Sequence, residues 1–189
     1  MRLIVYPLIS LFILAGCSSE PSPKKEIVSQ FTGIVPRVID NDDGIFHGIE
    51  LGMTSEEVKK MVLPGDSLST STENEYLFFE AKIDSANEYT YECSFDTKGL
   101  NAVTLMIYQK KESSAAQLFA DFKNYFTKKY GTPYDAGFGY IWEVPAGKRP
   151  AKITLREESE EYLYGVVSVE FYDRSFEPRP PSGDSLVIR

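Results

Sequence analysis

The sequence predicts an α+β domain made of two helix-plus-three-strand units, whose strands form one antiparallel sheet packed by two helices. Two segments carry apolar residues at helical intervals of three and four, and six segments alternate apolar and polar residues as half-buried strands do. The connections between strands are short enough for hairpins, which favours antiparallel pairing. The two halves share negligible sequence identity, so the repeat is one of architecture alone.

The first predicted helix begins after Thr54, a residue type that caps helices. Glu57, three residues on, completes a capping box, and Pro64-Gly65 ends the helix. Its apolar stripe consists of Val58, Met61 and Val62. The strands predicted after it cover residues 76–83, 88–95 and 100–109, with a hairpin turn at 96–99 between the last two.

The second predicted helix begins at Ser113 or Ser114, and Gln117 would close a capping box on Ser114. Gly131 and Pro133 end it. Its core-facing stripe consists of Leu118, Phe119, Phe122, Tyr125, Phe126 and Tyr130. The strands predicted after this helix cover residues 137–144, 151–157 and 163–172.

The N-terminus carries a signal that predicts where the protein resides. Arg2 precedes an apolar run that ends in Leu14-Ala15-Gly16-Cys17. The run is shorter than the about 20 apolar residues of a transmembrane helix. It resembles the lipobox of bacterial lipoproteins, which implies that Cys17 is lipidated and that the chain is cut before it. Ser18, in place of aspartate, implies release to the outer membrane of a diderm bacterium.

The composition divides the chain into four parts. Residues 1–16 form the signal peptide, and residues 17–43 form the lipidated cysteine and a flexible tether that is polar and contains proline. The α+β domain covers residues 44–174. Residues 175–189, which are rich in proline, form an extended tail.

Charge and motif content exclude several classes of function. Asp and Glu total 28 against 20 Lys and Arg, so the field of the protein repels phosphate backbones and no nucleic-acid partner is expected. The chain lacks Gly-x-Ser-x-Gly, Walker, His-Glu-x-x-His and Cys-x-x-Cys motifs. We therefore assign no catalytic residue, no metal ligand and no cofactor.

Two single residues of reactive types are interpreted as structural. Cys93 alternates with polar neighbours in a predicted strand, so its thiol should point into the core. His47, the one histidine, is interpreted as a hydrogen-bonded or exposed loop imidazole.

The acidic segment from Asp40 to Gly44 allows two alternatives to a polar turn. As a calcium loop, Asn41, Asp43, Gly44 and Glu50 would take ligand and turn positions, although Ile39 then occupies the first ligand position. As part of a carboxylate-based envelope hydrolase, the acids used would come from Asp40, Asp42, Asp43 and Glu50. A second acidic cluster, residues 157–161, is interpreted as a solvated hairpin tip.

Aromatic residues are numerous, with 12 Tyr, 12 Phe and one Trp. A sheet face that no helix covers would present several of these rings to a protein partner, because tyrosine and tryptophan favour interfaces. The candidate partner-binding residues are Tyr76, Phe78, Tyr140 and Trp142. By alternation along the predicted strand, Phe138 should share a face with Tyr140 and Trp142.

The segment Gly48-Ile-Glu-Leu-Gly-Met-Thr-Ser-Glu-Glu-Val58 after a lipobox resembles the start of small envelope lipoproteins of the BamE (SmpA/OmlA) type. That resemblance implies helices packed on an antiparallel sheet. The doubled helix-plus-strands order is similar to the tandem repeats of β-lactamase inhibitory protein, although the paired cysteines of those repeats are missing here.

We therefore expect a membrane-anchored lipoprotein of the cell envelope that binds a protein partner and performs no catalysis. The alternatives are an inhibitor-like lipoprotein that binds an enzyme through its exposed sheet, and the carboxylate-based hydrolase.

Overall fold

The structure is a computed structural model that describes residues 26–40, 42–61, 67–70, 76–144, 149–162 and 164–174. The predicted signal peptide, the predicted lipidation site Cys17 and the predicted tail at 175–189 lie outside these residues. The helices are α1 (Val35–Ile39), α2 (Ser55–Lys60) and α3 (Glu112–Tyr130). The strands are β1 (Ser67–Thr70), β2 (Tyr76–Lys82), β3 (Asn87–Asp96), β4 (Gly99–Gln109), β5 (Tyr134–Asp135), β6 (Tyr140–Val144), β7 (Ala151–Glu157) and β8 (Gly165–Asp173).

The eight strands of the described residues belong to one sheet in the order β1-β2-β3-β4-β8-β7-β6-β5. Every neighbouring pair is antiparallel, so the prediction of an α+β domain with an antiparallel sheet is confirmed. The last strand lies in the middle of the sheet, where β4 and β8 pair Ala102 with Tyr172 and Gln109 with Gly165.

One face of the sheet packs against α3 through large apolar side chains. Phe126 of α3 lies at the centre of this contact, with its ring 5.8 Å from the ring of Phe171 and 5.4 Å from that of Trp142. The predicted stripe of α3 is confirmed, because its members are buried or packed against the core. The stripe works because residues three and four apart share one side of a helix.

The other half of the same face is covered by the N-terminal segment. Val35, Val38 and Ile39 of α1 are fully buried, and Phe46 packs edge-on against Tyr91 at 4.9 Å between ring centroids. The core therefore extends back to Val28, ahead of the domain boundary that we predict at residue 44. The prediction overlooked the spacing of Val35, Val38 and Ile39 at intervals of three and four residues, which is typical of a buried helical turn.

The predicted capping box of α2 is confirmed, since the Thr54 side chain accepts from the Glu57 amide while the Glu57 carboxylate accepts from the Thr54 amide. However, α2 has only six residues and buries only Val58. The expected second packing helix is not confirmed, because α1 and the loop at 42–54 cover this half of the sheet instead.

The capping prediction for α3 is wrong. The helix begins at Glu112, one residue before the first predicted position, and its N-cap residue Lys111 makes no side-chain capping bond. Gln117 instead donates from its amide nitrogen to the Asp121 carboxylate at 2.9 Å. Gln117 therefore bonds to a side chain one turn further along the helix instead of capping the helix with Ser114.

The predicted hairpin turn between β3 and β4 is present. The Asp96 carboxylate accepts a hydrogen bond from the Lys98 amide at 2.6 Å, and Gly99 follows with φ 101°. A Cβ atom at Gly99 would lie 2.6 Å from the carbonyl oxygen of Gly52, so glycine is required by both conformation and space. This close contact holds the loop before α2 against the end of the sheet.

Candidate functional site

The second face of the sheet carries no described helix, and we call it the open face. Its side chains alternate with those of the core, and the strand register places them in rows across the sheet. One such row runs through Phe78, Glu92, Thr104, Glu170, Thr154 and Ile141. The rows are therefore continuous across both halves of the sheet, although Thr154, Ser168 and Tyr172 in the middle of this face are buried.

Every exposed large hydrophobic residue among the described residues belongs to the open face or its rim. Tyr134 is 70% exposed and pairs with Ile141, and Phe138 is 60% exposed with its ring over the Arg156 guanidinium at 5.2 Å. Tyr76, Tyr162 and Tyr164 are the other three. Among the described residues, aromatic rings on the helix-covered side, such as Phe119 and Tyr140, are at most partly exposed, so the most exposed rings are confined to one side.

The four candidate partner-binding residues divide between the two faces. Tyr76 is exposed and Phe78 half-buried, and both lie on the open face. Tyr140 lies on the covered face, where its ring packs against Phe119 and carries the Lys123 ammonium at 3.6 Å.

The prediction for Trp142 is wrong. Its side chain is 1% exposed and its indole nitrogen donates to the Gly131 carbonyl oxygen at 3.0 Å. A partner could not touch it without unfolding the end of α3. The prediction that Phe138 shares a face with Tyr140 and Trp142 is wrong as well, because β6 begins at Tyr140 and Phe138 lies in the preceding turn.

The residues that the sequence prediction missed are tyrosines in loops and at strand ends. Tyr164 contacts Tyr108 with ring centroids 5.8 Å apart, and Tyr162 lies 6.0 Å from Tyr164. Tyr162 follows a 3-10 turn at Ser159–Glu161, where no strand period predicts a face, whereas Tyr164 falls within the predicted strand over residues 163–172. Tyr108 was identifiable, because it alternates with the buried Ile107 in a predicted strand.

A polar network occupies the middle of the open face. The Arg156 guanidinium lies 2.9 Å from the Glu170 carboxylate and 3.9 Å from that of Glu158, which also accepts from the Ser168 hydroxyl at 2.9 Å. Burial raises the pKa of Glu170 above its usual value, and the Arg156 charge opposes that rise. The charge of Arg156 thus offsets the repulsion between the carboxylates of Glu158 and Glu170 in the folded state.

Replacing Arg156 with methionine should lower the free energy of unfolding at neutral pH by about 1–3 kcal/mol, because two partly buried carboxylates lose their cation. A raised folded-state pKa for Glu170 favours folding below the ordinary glutamate pKa, and that contribution is lost as pH rises through the folded-state value. The defect of the variant should therefore shrink on acidification.

The measurement is urea unfolding at several pH values. The matched control is Arg174→Met, whose partner Glu143 lies 3.4 Å away on side chains more than half exposed. That change should cost no more than about 0.5 kcal/mol. Equal losses for the two variants at neutral pH would contradict the role given to Arg156.

A cavity of about 500 Å³ lies at one corner of the open face. Tyr108 and Tyr164 supply aromatic wall, Lys82 and Glu88 supply charge, and the β2–β3 turn closes one side. The acids of the hydrolase alternative do not line this cavity, since they belong to the loop before α2. The cavity continues the open face, because Glu88 and Tyr108 belong to both.

The acidic loop has a structural role at Asp42. Its carboxylate accepts from the amides of Ile27 and Val28 and from the Tyr125 hydroxyl at 3.0 Å. The Lys129 ammonium bonds the Gly44 carbonyl oxygen at 3.3 Å and the Tyr125 hydroxyl oxygen at 3.2 Å. These contacts join the N-terminal segment to α3.

The calcium alternative has no support among the described residues, which contain no cluster of three or more metal-ligating side chains. Asn41, one of its ligands, lies outside them. Asp40, Asp43 and Glu50 are exposed. His47 is buried, with its ring between those of Phe46 and Tyr89, which places it in the core rather than on the loop surface.

The interpretation of Cys93 as a core residue agrees with the structure, where its side chain is fully buried. Burial raises the pKa of the Cys93 thiol to about 12, and the neighbouring Glu92 charge adds to the shift. The reactive thiolate is therefore a minute fraction at neutral pH.

We expect iodoacetamide to leave Cys93 unmodified in the native protein at neutral pH and to modify it fully in concentrated guanidinium chloride. Mass spectrometry of the peptide that contains Cys93 measures this. Glu92→Cys places a thiol on the exposed side of the same strand and should react without denaturant. Fast modification of Cys93 in the native protein would contradict its burial.

The covered face and the open face together define an α+β domain with one uncovered aromatic sheet surface. Comparisons with protein families, with curated proteins and with solved structures found no match to this chain. None of the helices among the described residues has the length and apolar character needed to span a membrane.

Proposed function

We propose that this protein is a lipid-anchored component of the bacterial cell envelope that binds another protein through the open face of its sheet and performs no catalysis. One observation carries the proposal: all five exposed large hydrophobic residues of the described chain lie on or beside that face. Tyrosine and phenylalanine supply large contact areas at interfaces. Confinement of these rings to one face favours a dedicated binding surface over scattered exposure.

The strand order supports the finer architecture that we propose, namely two units each composed of helix and antiparallel strands. The first half contributes β1-β2-β3-β4 and the second contributes β8-β7-β6-β5, so a two-fold rotation between β4 and β8 would exchange the halves. Each unit has four strands rather than the three expected. The open face then extends across both units, which gives a partner a surface larger than either unit offers.

The lipid on Cys17 would hold this surface at the membrane, and the lipobox is its support. Two or three acyl chains anchor a protein stably, whereas one does not. Because serine rather than aspartate follows Cys17, the membrane in this proposal is the outer membrane of a diderm bacterium. If the bound protein is an enzyme, the module would act as its inhibitor, which the same face would allow.

Site-specific photo-crosslinking in intact cells tests the proposal. Benzoylphenylalanine at Tyr76 or Phe138 should yield one discrete protein adduct, because both positions are exposed on the open face. The matched control is Asn124, which is exposed on α3. Equal adduct formation at all three positions, or none at any, would contradict a partner on the open face.

The anchor is tested in the same cells by Cys17→Ala combined with replacement of residues 1–16 by a signal peptide that is cleaved without lipidation. We expect the variant to move from the membrane fraction to the soluble fraction and to lose the adduct if the partner resides at the membrane. A variant that remained with the membrane would contradict lipid anchoring, whatever the outcome of crosslinking.

A further inference from the structure

The described chain enters the fold on the helix-covered side of the sheet. A 3-10 turn, Val28–Gln30, precedes α1, and its first residue is buried in the core. The Asp42 carboxylate accepts hydrogen bonds from the amides of Ile27 and Val28. The first residues of the described chain are therefore held by main-chain hydrogen bonds to a half-buried carboxylate.

Contacts with the last turns of α3 hold the same segment from a second side. The Phe31 ring packs edge-on against that of Tyr125, with the ring centroids 5.7 Å apart. The Lys128 ammonium lies 4.9 Å from the centre of the Phe31 ring and donates to Gln30 Oε1 at 3.3 Å. The entry point of the chain is therefore fixed in the helix layer, on the opposite side of the sheet from the open face.

The covalent chain limits the distance from this entry point to the proposed lipid on Cys17. We call residues 18–25 the linker. Glu26 is the ninth residue after Cys17, and a fully extended chain of that length spans at most about 32 Å. The root-mean-square span of a flexible chain of nine residues is about 15–18 Å.

The thickness of the domain is comparable to the reach of the linker. A helix is about 10 Å across and packed layers lie about 10 Å apart, so the helix layer and the sheet together measure about 20 Å. If the open face were turned to the bilayer, the linker would have to pass around the edge of the domain and stretch beyond its root-mean-square span. Chain entropy disfavours that arrangement.

We propose that the short linker holds the helix-covered side of the domain toward the lipid surface, so that the open face points away from the membrane. This inference rests on the proposed function, because it requires the lipid on Cys17, and it adds which surface of the domain meets the membrane. The surface that meets it comprises the segment at 26–34, α1 and the last turns of α3. A protein partner then reaches the open face from the aqueous side.

Charge around the entry point does not supply this orientation. The exposed charged residues of segment 26–43 and the last turn of α3 are the two cations Arg37 and Lys128 and the three anions Glu26, Asp40 and Asp43. Anionic lipids attract clusters of lysine and arginine, and salt screens that attraction. The linker acts through its length, so the orientation should be the same at low and at high salt.

Energy transfer from single fluorescent labels to acceptor lipids measures the orientation. The full-length lipidated chain is placed in phosphatidylcholine vesicles and labelled at Thr32→Cys on the entry side, or at Tyr76→Cys or Phe138→Cys on the open face. Cys93 is buried and Cys17 would carry the lipid, so only the introduced thiol is accessible to the label. We expect the two open-face labels to lie about 10–20 Å farther from the bilayer than the Thr32 label.

The matched control lengthens the linker and leaves the folded domain unchanged. Insertion of about twenty glycine and serine residues between Pro23 and Lys24 raises the root-mean-square span to about 30 Å, which exceeds the thickness of the domain. The difference between the labels should disappear in this variant. With the native linker it should persist at high salt and when phosphatidylglycerol is added to the vesicles.

Equal distances for the three labels with the native linker, or an open face nearer to the bilayer, would overturn the proposal. A difference that vanished at high salt would overturn it as well, because charge would then set the orientation. So would a difference that survived the insertion, since the length of the linker would then be irrelevant. Lipidated chain that failed to sediment with the vesicles would instead overturn the anchor in the proposed function, so the two failures are distinguishable.

Discussion

Replacing Phe126 with alanine should lower the free energy of unfolding by about 3–5 kcal/mol. Phe126 is fully buried and its ring contacts those of Phe122, Trp142 and Phe171, so it joins α3 to the middle and the edge of the sheet. Truncation would leave a cavity that three rigid rings cannot close, and the lost packing adds to the lost burial. Urea unfolding followed by tryptophan fluorescence measures the change, since Trp142 lies against the substituted position.

Phe138→Ala is the control for this prediction, because it removes the same atoms from a side chain that is 60% exposed. Its cost should stay within about 0.5 kcal/mol, as for most surface substitutions. If Phe126→Ala lowered the free energy of unfolding as little as Phe138→Ala does, that result would contradict the packing of α3 on the sheet through Phe126.

Replacing Asp42 with alanine should destabilise the protein by about 2–4 kcal/mol, because hydrogen bonds to charged groups each contribute about 1.5–3 kcal/mol. The Asp42 carboxylate binds the Ile27 and Val28 amides and the Tyr125 hydroxyl. Its removal leaves the buried Tyr125 hydroxyl without its acceptor and takes away one of the two carboxylates, with Asp43, whose charge favours the half-buried Lys129 ammonium. Amide hydrogen exchange should show the residues around Val28 opening first.

The control for Asp42 is Glu50→Ala, a nearby exposed carboxylate in the same loop. It should leave both the unfolding free energy and the exchange of the Val28 region unchanged. A similar effect of both substitutions would show that the loop responds to total charge and not to the contacts of Asp42.

Periodicity predicted the six longer strands and the long helix, because each repeats its apolar residues often enough to show a period, although β8 is buried on both sides in the structure. β4 is an example: Val103, Leu105 and Ile107 are buried, and the residues between them are not. The short elements were missed because they contain too few residues to display a period. β5 has two residues, both exposed, and α1 has five.

The binding surface was only partly predictable for a different reason. Alternation shows which residues share a face, but it does not show which face the helices cover. Tyr76 and Trp142 were equally good candidates by composition, and only the position of α3 makes one exposed and the other buried. Asp42 was ambiguous in the same way, since its partner Tyr125 is distant in sequence and carries no local signal.

The position of β8 in the middle of the sheet has a consequence for the order in which the protein can fold. Until β8 is available, both β4 and β7 present an unpaired edge, and each edge can pair with another chain. A chain that emerges N-terminus first would therefore complete its sheet only when β8 becomes available. Truncation before Gly165 should give aggregates rather than a smaller stable domain.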